Sequence, residues 1–371
     1  MMFGKDNKIS NMQIALLTVH TIIGVGILSL PSTLAEAVGT SGWISLVISG
    51  IIAAIPVIMI TKVTEKYRGW NLFEISSYLL GKTLTYITFT LLIINFIGQS
   101  AFVIRIFGEV IKMFLLFSTP IEVTIVTMLL TAVFTARGGI ETIARLSLLV
   151  VPFILIPILI LNVVLIPDLD FTNLLPFFKN NFADVIKSIP ATFFSFGGLE
   201  FLLVYMYYSK HPKSAMKYNI GAIVTVTVLY LLSFFITLAR FGEKGLGVQL
   251  WPLLSLAKAI QFPNAFIENV EGIIMAIWVI VVFTTLMSAI FVASVLIRQM
   301  FRTEESKYFT LPLLPIIYFF SLIPRNVVLV YSYMQVFTYI FGTFASLIYP
   351  ILLYILAVFK KKGEAKDETT I

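Results

Sequence analysis

Two glycine-interrupted stretches carry the residue types best able to hold a solute. The first is Gly24-Val25-Gly26-Ile27-Leu28-Ser29-Leu30-Pro31. Glycines let a helix unwind and let a ligand approach the main chain. In an apolar setting the amides and carbonyls freed by unwinding must face protein, water or a polar solute. A helix restarting after Gly26 aims its positive end at the gap, a suitable seat for a carboxylate. The same glycines would also serve close helix packing, and an isolated Gly-x-Gly does not choose between the two. The second stretch, Ser195-Phe196-Gly197-Gly198-Leu199-Glu200, repeats the interruption at the matching place later in the chain and favours the solute reading. Glu200 lies in an apolar interval, where an ionised carboxylate is costly. It could meet a ligand amine or an arginine, carry protons, or sit neutral against a neighbouring helix.

Other polar groups fall in apolar intervals. Asn95 and Gln99 are four apart and share a helix face, either lining a cavity or bonding across helices. Arg105 and Glu109 have the same spacing and read as an ion pair. Thr284, Thr285 and Ser288 could offer hydroxyls inward or bond their own helix backbone. His20 reads as a packing histidine. The candidate ligand-binding set is therefore Gly24, Val25, Gly26, Ile27, Asn95, Gln99, Phe196, Gly197, Gly198, Glu200, Thr284 and Ser288.

No catalytic set accompanies it. The chain has no cysteine and two histidines, so thiolate chemistry is excluded and the usual metal-ligand sets are poorly supplied. Walker A, GxSxG and HExxH motifs are absent. No enzyme activity, cofactor, metal or nucleic-acid partner is expected.

The elements that position these residues follow from composition. Of 371 residues, 59% are hydrophobic and 12% charged. A soluble domain carries about 25% charged residues, so the expected surroundings are a lipid bilayer. Charges punctuate the sequence into apolar intervals, most of which reach the roughly 20 residues a membrane helix needs. About ten spans result. The ninth, after Lys307, is short and contains Pro312 and Pro315. With the amino terminus inside, 18 of the 26 Lys and Arg fall on the inner side. That bias places both termini in the cytoplasm. The stretch after Lys5 and Lys8 is read as a retained first helix, with a cleaved signal peptide as the alternative.

Ten spans divide into two sets of five, and an odd number per set inverts the second relative to the first. The halves are expected at about 11–166 and 185–359, within one membrane domain over 1–359. The charged tail, 360–371, is expected to be disordered. Amphipathic segments at Trp70 to Leu80 and Trp251 to Ile260 occupy equivalent connections. Ser10-Asn11-Met12-Gln13 matches a capping box at the start of span 1.

Gly-Val-Gly-Ile-Leu followed by Ser-Leu-Pro resembles the amino acid–polyamine–organocation transporter superfamily. With Lys8-Ile9-Ser10-x-x-Gln13 and Asn173-Leu174-Leu175-Pro176, it resembles more narrowly the B-type subunits of bacterial spore germinant receptors, the endospore germination permease family. The resemblance implies an all-α, leucine-transporter-like inverted repeat of five plus five with spans 1 and 6 broken. It implies a nutrient, with an amino acid expected, held between those breaks and the faces of spans 3 and 8. It further implies a larger A-type membrane subunit and a C-type lipoprotein as partners in the spore inner membrane. Some proton-coupled permeases carry a basic residue in span 5, whereas Leu146 to Ile166 has none. A nutrient sensor is therefore favoured. A proton- or sodium-coupled amino acid transporter is the alternative, and an ion-conducting subunit a weaker third.

Overall fold

The computed structural model describes residues 8–24, 26–179, 181–258 and 270–360, with side chains left aside at 153–164, 270, 271 and 273. Val25, the end of the second amphipathic segment at 259–260 and the tail beyond 360 lie outside that description.

Among the described residues the chain is helical, with one isolated parallel bridge between Ile9 and Ser209. Span 1 is α1 (Asn11–Ile23) followed by α2 (Gly26–Val38). Gly39, at φ 54°, ends it, and α3 (Gly42–Lys66) is span 2. α4 (Leu72–Leu80) leads to span 3, α5 (Lys82–Phe114). α6 (Ile121–Ala136) and α7 (Gly139–Leu165) are spans 4 and 5, and the chain turns through 117° between them. Span 6 is α8 (Phe182–Phe194), an irregular turn, and a tighter half containing α9 (Leu202–Tyr205) between 3₁₀ turns. α10 (Ala215–Gly247) is span 7, α11 (Pro252–Lys258) the second short connector, and α12 (Val270–Phe301) span 8. α13 (Lys307–Leu322) is span 9. α14 (Val327–Phe337), two π-helical turns and α15 (Tyr349–Phe359) make span 10.

Among the described residues, five helices are long and apolar enough to cross a membrane, or seven with each bent pair as one crossing. The passing stretch Gly26–Lys66 joins α2 of span 1 to span 2, and the remaining crossings are cut, short or bent. Span 1 is cut by its glycines, span 9 is only 16 residues long, and spans 4 and 5 form one of the bent pairs. Both amphipathic segments form helices. Ser10 and Gln13 close the capping box, each side chain taking the other's backbone N–H at 3.2 and 2.9 Å. Asn71 and Glu74 make a second box on α4.

The packing carries the inverted symmetry. Both halves of span 1, α1 and α2, lie along span 7, and both halves of span 6, α8 and the half containing α9, lie along span 2. Exchanging each span for its counterpart five places on converts one pair into the other. Spans 3 and 8 pack along each other at the centre, as self-exchanging partners must.

The segment between spans 5 and 6 holds the far end of span 7. Gly242, at φ 66°, breaks α10 and releases carbonyls of the preceding turn. Ala239 O accepts from Asp170 N–H at 3.2 Å and from Asn173 Nδ2 at 2.9 Å. Asn173→Ala is expected to cost about 1 kcal/mol, the net worth of one hydrogen bond, read as a lower melting temperature of the purified protein.

Candidate functional site

Spans 1 and 6 are each interrupted, and their breaks touch. α1 stops at Ile23; Gly24, at φ 24°, donates its N–H to His20 O at 3.2 Å. α2 restarts at Gly26, so its first amides have no partner within the helix. In span 6 the two halves meet at 48°, with Gly198 at φ 115°. Gly198 lies against the span 1 backbone: a Cβ there would stand 2.6 Å from Thr21 O and 2.9 Å from Ile22 N. Thr21 Oγ1 donates to Gly198 O at 3.2 Å.

One side chain from another span ties the breaks together, and a second holds span 1 to span 8. The Tyr230 hydroxyl of span 7 reaches Ser195 O at 2.8 Å and Ile22 O at 3.0 Å. It has one proton to divide between two carbonyls. Thr285 Oγ1 of span 8 reaches His20 O at 3.0 Å. Tyr230→Phe would leave buried carbonyls unsatisfied, a loss of about 1–3 kcal/mol. The expected result is a lower melting temperature together with weaker ligand binding. A variant with both unchanged would remove the hydroxyl from this role.

Glu200 closes the floor. It is 2% exposed; its Oε2 accepts from Gly198 N–H at 2.8 Å and its Oε1 from Gln99 Nε2 at 3.3 Å. Asn95 stands beside the same carboxyl. Asn95 Nδ2 and Gln99 Oε1 are buried without a hydrogen-bond partner. These groups face a cavity of about 1340 Å³ that also meets Gly24, Gly26, Gly197 and Thr285. It widens past Ser29 and Glu36 to Gln249 and Val328, and so opens on the face away from the amino terminus. Among its described lining residues the charged side chains are Glu200 at the floor and Glu36 and Lys187 further out. A carboxyl at one edge and the start of a helix at the other offer complementary seats for an ammonium and a carboxylate.

The amino-terminal face is latched. Ile9 pairs with the end of span 6 through Ile9 N–H to Tyr208 O at 2.8 Å and Lys210 N–H to Ile9 O at 3.0 Å. Asn11 accepts from Ser209 Oγ at 2.6 Å and donates to His211 O at 2.8 Å. Lys8 Nζ donates to Tyr207 O at 2.9 Å.

Residues 8–330 match the sequence family described as spore germination proteins. The chain belongs to the spore germination protein family. Among the relatives of this family member is spore germination protein YndE of Bacillus subtilis (strain 168), 27% identical over 98% of this chain and 100% of that protein. Two solved structures share the fold. One is a Na⁺-coupled sialic acid symporter in a substrate-bound, outward-open state. It has TM-score 0.69 and 13% identity over 96% of this chain and 80% of that one. The other is MhsT in complex with L-phenylalanine, with TM-score 0.66 and 14% identity over 96% and 97%. The family expected from the opening motifs and the leucine-transporter-like fold are thus both found.

Within this spore germination protein the expected ligand-binding residues separate into groups. Gly24, Gly26, Asn95, Gln99, Gly197 and Glu200 line the cavity. Gly198 is spent on the contact with Thr21. Phe196 is fully buried against the Tyr230 ring, with centroids 5.5 Å apart, and Ile27 is buried behind the break. Thr284 Oγ1 returns to Val281 O of its own helix at 2.7 Å, and neither it nor Ser288 is among the lining residues. The residue that turns to span 1 is Thr285, one step along a helix that rotates about 100° per residue. Tyr230 and Thr21 carried no sequence signal, being single hydroxyl residues in apolar spans. Arg105 and Glu109 form the expected ion pair at 2.8 Å.

Proposed function

We propose that this chain is the nutrient-sensing B-type subunit of a spore germinant receptor, with a free amino acid as its ligand. The observation that carries the reading is the junction of the two breaks around buried Glu200, opposite the start of α2. The ligand's ammonium is placed on Glu200 and its carboxylate on the first amides of α2, near Gly26. Gln99 and Asn95 orient the carboxyl, and Tyr230 and Thr285 hold the broken backbones apart at the width of the ligand. Cytoplasmic termini in the spore inner membrane, with A-type and lipoprotein subunits as partners, complete the proposal.

The alternative is a secondary amino acid transporter, which the likeness to two transporter-fold structures favours. Reconstituted protein presented with labelled amino acids separates the two. Saturable binding without coupled accumulation, and loss of germination to one nutrient on deletion, support the sensor. Robust accumulation driven by a proton or sodium gradient would sink it.

A further inference from the structure

A second cavity, of about 240 Å³, lies outside the junction, between α1, α7 and α10. Met12, Leu16, Val19 and His20 line one wall; Gly221 and Thr225 line another, with Lys217 at its outer end, its ammonium over the Tyr218 ring. Met12, Lys217, Gly221 and Thr225 are exposed along its edge, so its mouth runs from the helix starts at Met12 and Lys217 sideways along α10, the side a bilayer would cover. From Met12 to His20 it reaches about 12 Å along the helix axis, at 1.5 Å per residue. The deep end is polar. His20 is 1% exposed, and its Nδ1 is buried without a hydrogen-bond partner. A buried, unpartnered imidazole nitrogen is costly, and an acyl chain in the groove would leave it so.

We propose that this cavity is a binding site for a small uncharged amphiphile, an alcohol or a phenol, that arrives through the membrane. The apolar walls of Met12, Ala15, Leu16 and Val19 take its hydrocarbon body. His20 takes its hydroxyl, which can donate or accept and so suits either tautomer of the ring. The volume holds roughly eight non-hydrogen atoms, at about 30 Å³ each by the measure of water. A carboxylate or an ammonium is disfavoured at that depth. The site also reaches the solute junction. His20 O is the acceptor for both Gly24 N–H and Thr285 Oγ1, so a molecule wedged against His20 braces the last turn before the break.

The test is photolabelling of the full chain in liposomes with a hexanol carrying a diazirine. Crosslinks are expected to concentrate on residues 12–23 and 217–229. Excess plain hexanol should reduce them at least fivefold, and hexane far less. His20→Phe should remove most of this labelling. Gly221→Leu should do the same by filling the groove, since nothing stands within 4 Å of a Cβ there. Crosslinks spread over every lipid-facing helix in proportion to exposure would overturn the proposal. So would competition by hexane equal to that by hexanol, or folded Gly221→Leu protein that labels as before.

Discussion

Glu200→Gln is expected to raise the half-saturating concentration of the nutrient by roughly 10- to 150-fold while leaving the fold intact. The range corresponds to the 1.5–3 kcal/mol of a hydrogen bond to a charged group. The substitution keeps side-chain volume but supplies one acceptor where two are used. Gly198 N–H and Gln99 Nε2 each donate to a separate carboxyl oxygen, so a glutamine must turn its own NH₂ toward one of these donors. It also removes the negative charge that the ligand ammonium would meet. Binding to reconstituted protein and germination of spores carrying the variant read the two levels of the effect. An unchanged dose response from normally folded protein would take Glu200 out of the site.

Gly198→Ala is expected to be severely destabilising. The added carbon would stand 2.6 Å from Thr21 O and 2.7 Å from Thr21 C, which are backbone atoms of an opposing span and cannot rotate away. The residue is also at φ 115°, where an L side chain is strained. Strain and overpacking each cost about 1–3 kcal/mol, and here they add. Low yield of folded protein and a much lower melting temperature are the expected readouts. Gly26→Ala is the control: its methyl would meet the Tyr230 hydroxyl at 3.5 Å and Ser195 O at 3.6 Å, ordinary contact distances. That variant should fold and lose ligand affinity instead, because the methyl would crowd the first amides of α2, the seat proposed for the carboxylate. Equal melting temperatures for the two variants would contradict the packing described.

The contrast between these glycines marks where sequence reading stops. Both breaks were legible, because glycine pairs inside apolar intervals have few uses and occur at matching places in the two halves. The capping box at Ser10, the connecting helices and the Arg105–Glu109 pair were legible for the same reason: each is a local pattern. Which glycine bears the contact was not, because that depends on which atom of another span arrives there. Span 8 makes the point with Thr284 and Thr285. Neighbouring hydroxyls in a helix with no polar face give no phase, so sequence alone cannot say which of them reaches span 1. Tyr230 was invisible for a related reason. Its value lies in standing within reach of two carbonyls belonging to segments far from it in the chain.

The latch at the amino terminus joins residues about two hundred positions apart and closes the face opposite the cavity mouth. A sensor of the kind proposed, built this way, would listen to one compartment. On that reading, solute on the latched side would reach Glu200 only after Ile9 and Asn11 let go of the end of span 6. A tag or truncation at the start of the chain is then expected to alter the direction of hearing before it alters what is recognised.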